Sequence, residues 1–398
     1  ELDAAEPQLD AALELRRATA ETDPVALAKA ELERAALSYD RGEYEDALDM
    51  LEQALARNAK ASPGDDTLAA DATNWLAVTL AALHHFDRAK EAGERALAMS
   101  EALHERPHRV VANAMVALVD ILSARGDWVD AEHLATEALA DLRALHGDSH
   151  LEIAHALNQR SQAILPQRRL EDALRDARAS LEIRRAILGN AHVEIAASLG
   201  SVSGILNNLG RADEAEATRR ESLAVFQAAL GDTPHVYVAA TMTGLGGLLA
   251  SRKKFAEAEP MLRESIALHR ELLSKNHPRI AYPLTELGRM LTGLGRAEEA
   301  EALLREALDL RIAALPAGHW HIGVSHRDLG RALDALGRVD EAEPHLLTAL
   351  ELFVAKFGDD DRVPKQLRAT LREHYERRGL VDKAAQYGPA PKAAATTR

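Results

Sequence analysis

Small and apolar residues recur along the chain at helical spacing, in a pattern that returns about every 42 residues. The stretches "LGRMLTGLGRAEEAE" (287–301) and "LGRALDALGRVDEAE" (329–343) show it best. Apolar positions three and four apart lead up to a Gly, and a second helical pattern starts just after it. Aligned on one Ala of the second helix, the copies stand at Ala5, Ala47, Ala89, Ala131, Ala173, Ala215, Ala258, Ala300, Ala342 and Ala384. Another small residue follows seven places on, from Ala12 and Ala54 through Ser180, Ser222 and Ser265 to Ala349. Two small residues at that spacing share a helical face and let a neighbouring helix come close.

Five residues before the aligned Ala stands Gly in most copies: Gly42, Gly126, Gly210, Gly295, Gly337 and Gly379. Gly there is expected to end the first helix in a left-handed cap. His84, Arg168 and Lys253 replace it in three copies, where the same conformation costs more. The chain opens on "LDAAEPQLDAALEL" (2–15), which matches "VDEAEPHLLTALEL" (339–352) at nine of fourteen positions. In phase, it is the second helix of a hairpin whose first helix is missing, so the chain is expected to be part of something longer. Pro7, Pro260 and Pro344 are expected near first turns, where amide protons have no intrahelical acceptor.

The succession L-G-x-x-L, then G, A and A, is similar to the tetratricopeptide repeat (TPR) signature along nearly the whole chain. With its long period and joints such as "LLSKNHPRIA" (272–281), the chain resembles the kinesin-light-chain type. The resemblance implies an all-α, right-handed superhelix, an α-solenoid of about nine hairpins, each a helix A, a tight turn, a helix B and a loop. A lone hairpin cannot bury its apolar stripe, so neighbours stack. Residues 1–22 are expected to be the orphan helix B, 23–386 the solenoid, and 387–398 a disordered tail. Such repeats bind proteins noncovalently. Two other readings are a sensory or docking region of a larger enzyme, such as the C-terminal region of a bacterial Ser/Thr protein kinase, and a self-assembly module.

Composition agrees with helices: Ala, Leu, Glu and Arg dominate and aromatics are 4%. No apolar run is long enough for a membrane span. The chain has no Cys, which excludes disulfides and thiolate chemistry and fits a reducing, cytoplasmic setting. A formal net charge of −15 without a basic patch argues against nucleic acid as partner. Glu-to-Arg pairs four apart on helix B (Glu216–Arg220, Glu259–Arg263, Glu301–Arg305) read as a solvated outer face.

An in-phase histidine stands in six loops: His108, His150, His192, His235, His277 and His319. Stacked helices lie about 8–10 Å apart, too far for neighbouring rungs to share one zinc at about 2 Å from each nitrogen. Asp66 and Asp361 occupy the same rung, and Pro278 follows His277. All point to helix N-capping, so no metal and no cofactor are expected. No catalytic constellation emerges, and the chain reads as a non-enzyme. "GLGGLL" (244–249) falls inside a helix A with Gly246 at a packing position.

One face of helix A remains for binding, at eighteen, fifteen, eleven and eight residues before the aligned Ala. It carries Asn74, Asn113, Asp120, His155, Asn158, Gln162, Asn207 and Thr243, then Tyr282, Thr285, Arg289, Thr292, Arg327, Arg331 and Asp334. Side-chain amides both donate and accept, which suits the backbone of an extended peptide. Kinesin-light-chain-like repeats are thought to use an Asn ladder this way, and the resemblance implies a protein or extended peptide as partner. Gly200, Gly204, Ala240, Gly247 and Ala250 are expected to leave a shallow basin. Arg289, Arg327 and Arg331 are expected either to receive an acidic group or to be neutralised by Asp328 and Asp334.

Overall fold

The computed structural model describes residues 10–11, 13–18, 23–61, 66–231 and 233–388, and there is no strand among them. The chain forms two compact units, residues 1–211 and 212–398. The first holds α1 (Pro24–Asp40), α2 (Tyr44–Ala61), α3 (Asp66–Ala82), α4 (Phe86–Leu103) and α5 (Arg109–Arg125). It continues with α6 (Trp128–His146), α7 (Leu151–Ile164), α8 (Leu170–Leu188) and α9 (Val193–Asn208). The second holds α10 (Ala212–Leu230), α11 (Val236–Ser251), α12 (Phe255–Leu272), α13 (Ala281–Gly293) and α14 (Ala297–Ala314). It ends with α15 (Trp320–Ala335), α16 (Val339–Phe357), α17 (Arg362–Arg377) and α18 (Val381–Gln386). Odd-numbered helices are the A helices and even-numbered ones the B helices.

Within each unit, packing follows the repeat. The aligned Ala is fully buried in every copy from Ala47 to Ala342. At two of the Ser copies the hydroxyl is satisfied across the hairpin: Ser180 donates to the Ala154 carbonyl at 2.6 Å, and Ser265 to that of Ala239 at 2.7 Å. The Gly of L-G-x-x-L marks a close approach. A Cβ on Gly246 would stand 2.6 Å from Leu262, and one on Gly288 would stand 2.6 Å from Leu304. That explains "GLGGLL" as packing.

The turns form as the sequence predicts. Gly126, Gly210, Gly295 and Gly337 adopt positive φ, and so do His84 (62°), Arg168 (65°) and Lys253 (59°). The backbone then closes the helix end, as where Lys254 N–H reaches the Leu249 carbonyl at 2.9 Å.

The prolines depart from expectation. Pro260 and Pro344 stand inside α12 and α16, each as the sixth residue of the helix, rather than in the first turn. Each leaves a carbonyl four residues earlier without its usual donor. Pro7 and most of the orphan helix B lie outside the described residues, although 13–18 are helical. Residues 389–398 of the expected tail also lie outside them. Tyr387, placed in that tail by the sequence, stacks on Tyr375 with centroids 5.6 Å apart.

Candidate functional site

The loop histidines are N-caps. Nδ1 of His108, His150, His192, His235, His277 and His319 accepts from the backbone N–H two residues on, at 3.1–3.3 Å. Asp361 does the same for Val363 at 2.8 Å. Asp66 opens α3, but its side chain lies outside those described. An imidazole that accepts at Nδ1 carries its proton on Nε2.

One convergence was missed by comparing only neighbouring rungs. His146, at the end of α6, stacks on His150 with centroids 4.1 Å apart, and its Nε2 lies 2.9 Å from a Glu152 oxygen. The three offer ligand atoms within 4.8 Å of one another, and the H-x3-H-x-E spacing was the signal. The cap leaves neutral His150 no free lone pair, and Arg109 holds the other Glu152 oxygen at 3.0 Å. The stacked rings do not share a plane in which one ion would sit. The arrangement therefore serves the cap better than a metal.

The A-helix face divides into three kinds of position. In the first unit a cleft of about 400 Å³ runs across α1, α3, α5 and α7 and brings together Asn113, Asp120 and His155 with Tyr39. Asn74, Asn158, Gln162 and Asn207 lie on the same face outside this cleft. Asn113, Gln162 and Asn207 are exposed, and Asn74 and Asn158 are partly so. Asp71, also eighteen before its Ala, belongs on this stripe and was overlooked.

In the second unit a cleft of about 540 Å³ runs across α13, α15 and α17, with Arg289, Thr292, Arg331 and Asp334 in its lining. Asp328 neutralises its sequence neighbour Arg327 as expected, whereas Asp334 pairs with residues of the next A helix. Asp328, almost wholly buried, accepts from two Arg327 nitrogens at 2.7 and 2.9 Å and lies 4.0 Å from Arg289. Arg289 also donates to Glu286. Asp334 pairs with Arg377 and with His374, the latter at 2.9 Å, and not with Arg331. Arg331 is exposed and has no ion pair among the described residues.

Two predicted groove residues are not available. Thr243 is buried, and its hydroxyl bonds the Ala239 carbonyl and Ser265 at 3.1 and 2.7 Å. Thr285 is buried and donates to the Ala281 carbonyl at 2.6 Å. A short hydroxyl in a helix reaches its own preceding turn more readily than a ligand. Tyr282 is exposed, with the buried Arg311 guanidinium 5.3 Å from its ring centre. Of the small residues, Gly247 in the second unit has the Glu286 carboxylate 2.9 Å from a Cβ position, and Gly204 in the first has no such neighbour within 4 Å.

These features define a helical-repeat scaffold. Sequence profiles described as tetratricopeptide repeat match residues 34–65, 111–152, 153–194, 194–268, 237–313 and 327–362, well over half of the chain. The chain belongs to the tetratricopeptide repeat family.

Comparison with curated proteins finds no match. Among solved structures, it is similar to a Rap protein complexed with Competence and Sporulation Factor: 12% identity, TM-score 0.62, 92% of this chain and 96% of that one. It is also similar to BtubC (BKLC) from P. vanneervenii, with 21% identity, TM-score 0.50, 59% of this chain and 94% of that one. A putative kinesin light chain of Podosopora anserina matches at 19% identity and TM-score 0.43, over 54% of this chain and all of that one. These likenesses concern the fold alone. No helix among the described residues is long and apolar enough to cross a membrane.

Proposed function

We propose that the chain is a non-catalytic scaffold that binds a protein or extended peptide segment, noncovalently, on its A-helix face. One contrast carries this reading. The charged side chains along the B helices are largely consumed by ion pairs, as at Glu216, Glu259 and Glu301. The amides of Asn74, Asn113, Asn158, Gln162 and Asn207 make no hydrogen bond to the protein among the described residues. Each keeps donors and an acceptor for a peptide backbone. A preformed surface loses little entropy on docking. The likeness to a Rap protein crystallised with a bound factor is in keeping with this use.

The test is an array of random octapeptides probed with the labelled chain and with an Asn74→Ala/Asn158→Ala/Gln162→Ala variant. Backbone recognition predicts that binding falls about tenfold across peptides of every composition, about 1.4 kcal/mol, while the thermal melt is unchanged. Equal binding by the variant, or no peptide bound by either protein, would overturn the reading.

A further inference from the structure

The cleft of the first unit has a distinct chemistry. Its walls are mostly aliphatic, from Val78 and Ala81 of α3 to Val116 of α5. Asp120 is the one carboxylate in the lining, and no Lys or Arg lines the cleft. Nor does Asp120 form an ion pair with any described Lys or Arg elsewhere. Tyr39 of α1 forms another wall, its ring fixed against Trp75 and Tyr44 at centroid distances of 5.6 and 5.3 Å.

We propose that this cleft takes a basic side chain, Lys or Arg, of the bound segment, with Asp120 as its counter-ion; this rests on the peptide-binding reading above. Asp120 is solvent-exposed, but the apolar walls beside it reduce its hydration, so it gains from a cation that arrives with the ligand. The aliphatic stem of Lys or Arg suits the Val and Ala walls while its head reaches the carboxylate. The Tyr39 ring in the same lining adds an aromatic surface beside the cation. An acidic side chain would meet like charge at Asp120 and no Lys or Arg, only the Tyr39 hydroxyl, the Asn113 amide and the His155 ring. In keeping with this, burial raises the Asp120 pKa above the ordinary carboxylate value, against the opposing influence of His155 and the Gln159 amide.

The same octapeptide array tests it, probed with the full chain, Asp120→Asn and Asp120→Lys. The expected result is that bound peptides are enriched in Lys or Arg. Asp120→Asn should weaken those peptides about tenfold while leaving uncharged binders unchanged, and Asp120→Lys should turn the preference toward Asp and Glu. Enrichment without basic residues, or a basic preference that survives Asp120→Asn, overturns this inference while the scaffold reading stands. No bound peptide at all overturns both. Melts of both variants confirm the fold, and Asp120→Asn, nearly isosteric on an accessible surface, is the variant that decides if Asp120→Lys unfolds.

Discussion

Arg296, in the turn before α14, grips the Glu259 carboxylate of the preceding repeat with two nitrogens, at 2.8 and 3.1 Å. The relationship recurs one repeat on, where Arg338 reaches Glu301 at 2.6 Å, and again where Arg378 reaches Glu343 at 2.7 Å. In the first unit Arg169 holds Glu132 at 2.6 Å. The Glu-to-Arg pairs read as a solvated outer face are present, as in Glu259–Arg263 at 2.8 Å. Yet the same carboxylates also tie one hairpin to the next.

A double-mutant cycle on Glu259→Gln and Arg296→Gln should therefore show coupling. Both groups are partly exposed, so only a small coupling is expected in urea unfolding at low salt, shrinking as salt is added. Strictly additive single effects would show that the contact across repeats contributes nothing.

Lys253 pays a conformational penalty that Gly escapes. A side chain at φ 59° costs roughly 1–2 kcal/mol, part of which the greater freedom of an unfolded Gly cancels. Lys253→Gly should raise stability by about 0.5–1 kcal/mol, visible as a higher melting temperature. A lower one would mean that the Lys253 side chain contributes contacts outweighing its strain.

The histidine caps should behave as caps. His192→Ala removes the acceptor 3.2 Å from the Glu194 N–H, and should cost about 1 kcal/mol. His192→Asn restores a side-chain acceptor and should recover most of that loss in the same denaturation assay. Equal losses for Ala and Asn would assign the ring to packing instead.

Acid should find a weak point at Glu343. Hydrogen bonds from Lys383, Tyr375 and Arg378 outweigh burial and hold its pKa down at about 2. Its stabilisation is present above the unfolded value near 4.5 and is lost as pH falls through about 2. Across that range the wild type should lose roughly 2–3 kcal/mol more than Glu343→Gln. Parallel stability curves for the two proteins between pH 6 and 2 would refute the assignment.

What the sequence determined by itself was local. Left-handed turns at Gly126 and even at Lys253, capping by His192, the buried Ala258 and the close approach at Gly288 all follow from one residue's conformational or steric limits. Repetition amplified each signal. The A-helix face was also legible as a stripe, because helical periodicity fixes which residues share a side. The tertiary structure decided which members of the stripe remain free. Thr243 and Thr285 are buried by packing, with the Thr243 hydroxyl against Ser265 of the next helix, whereas the longer amides of Asn113 and Gln162 stay outside. Charge pairing was decided there too: Asp334 takes Arg377, 43 residues away, over Arg331 three residues back on the same helix. Stacking, not sequence distance, sets which guanidinium reaches a carboxylate. The cleft around Asp120 exists for the same reason, since its walls come from four A helices that only packing brings side by side.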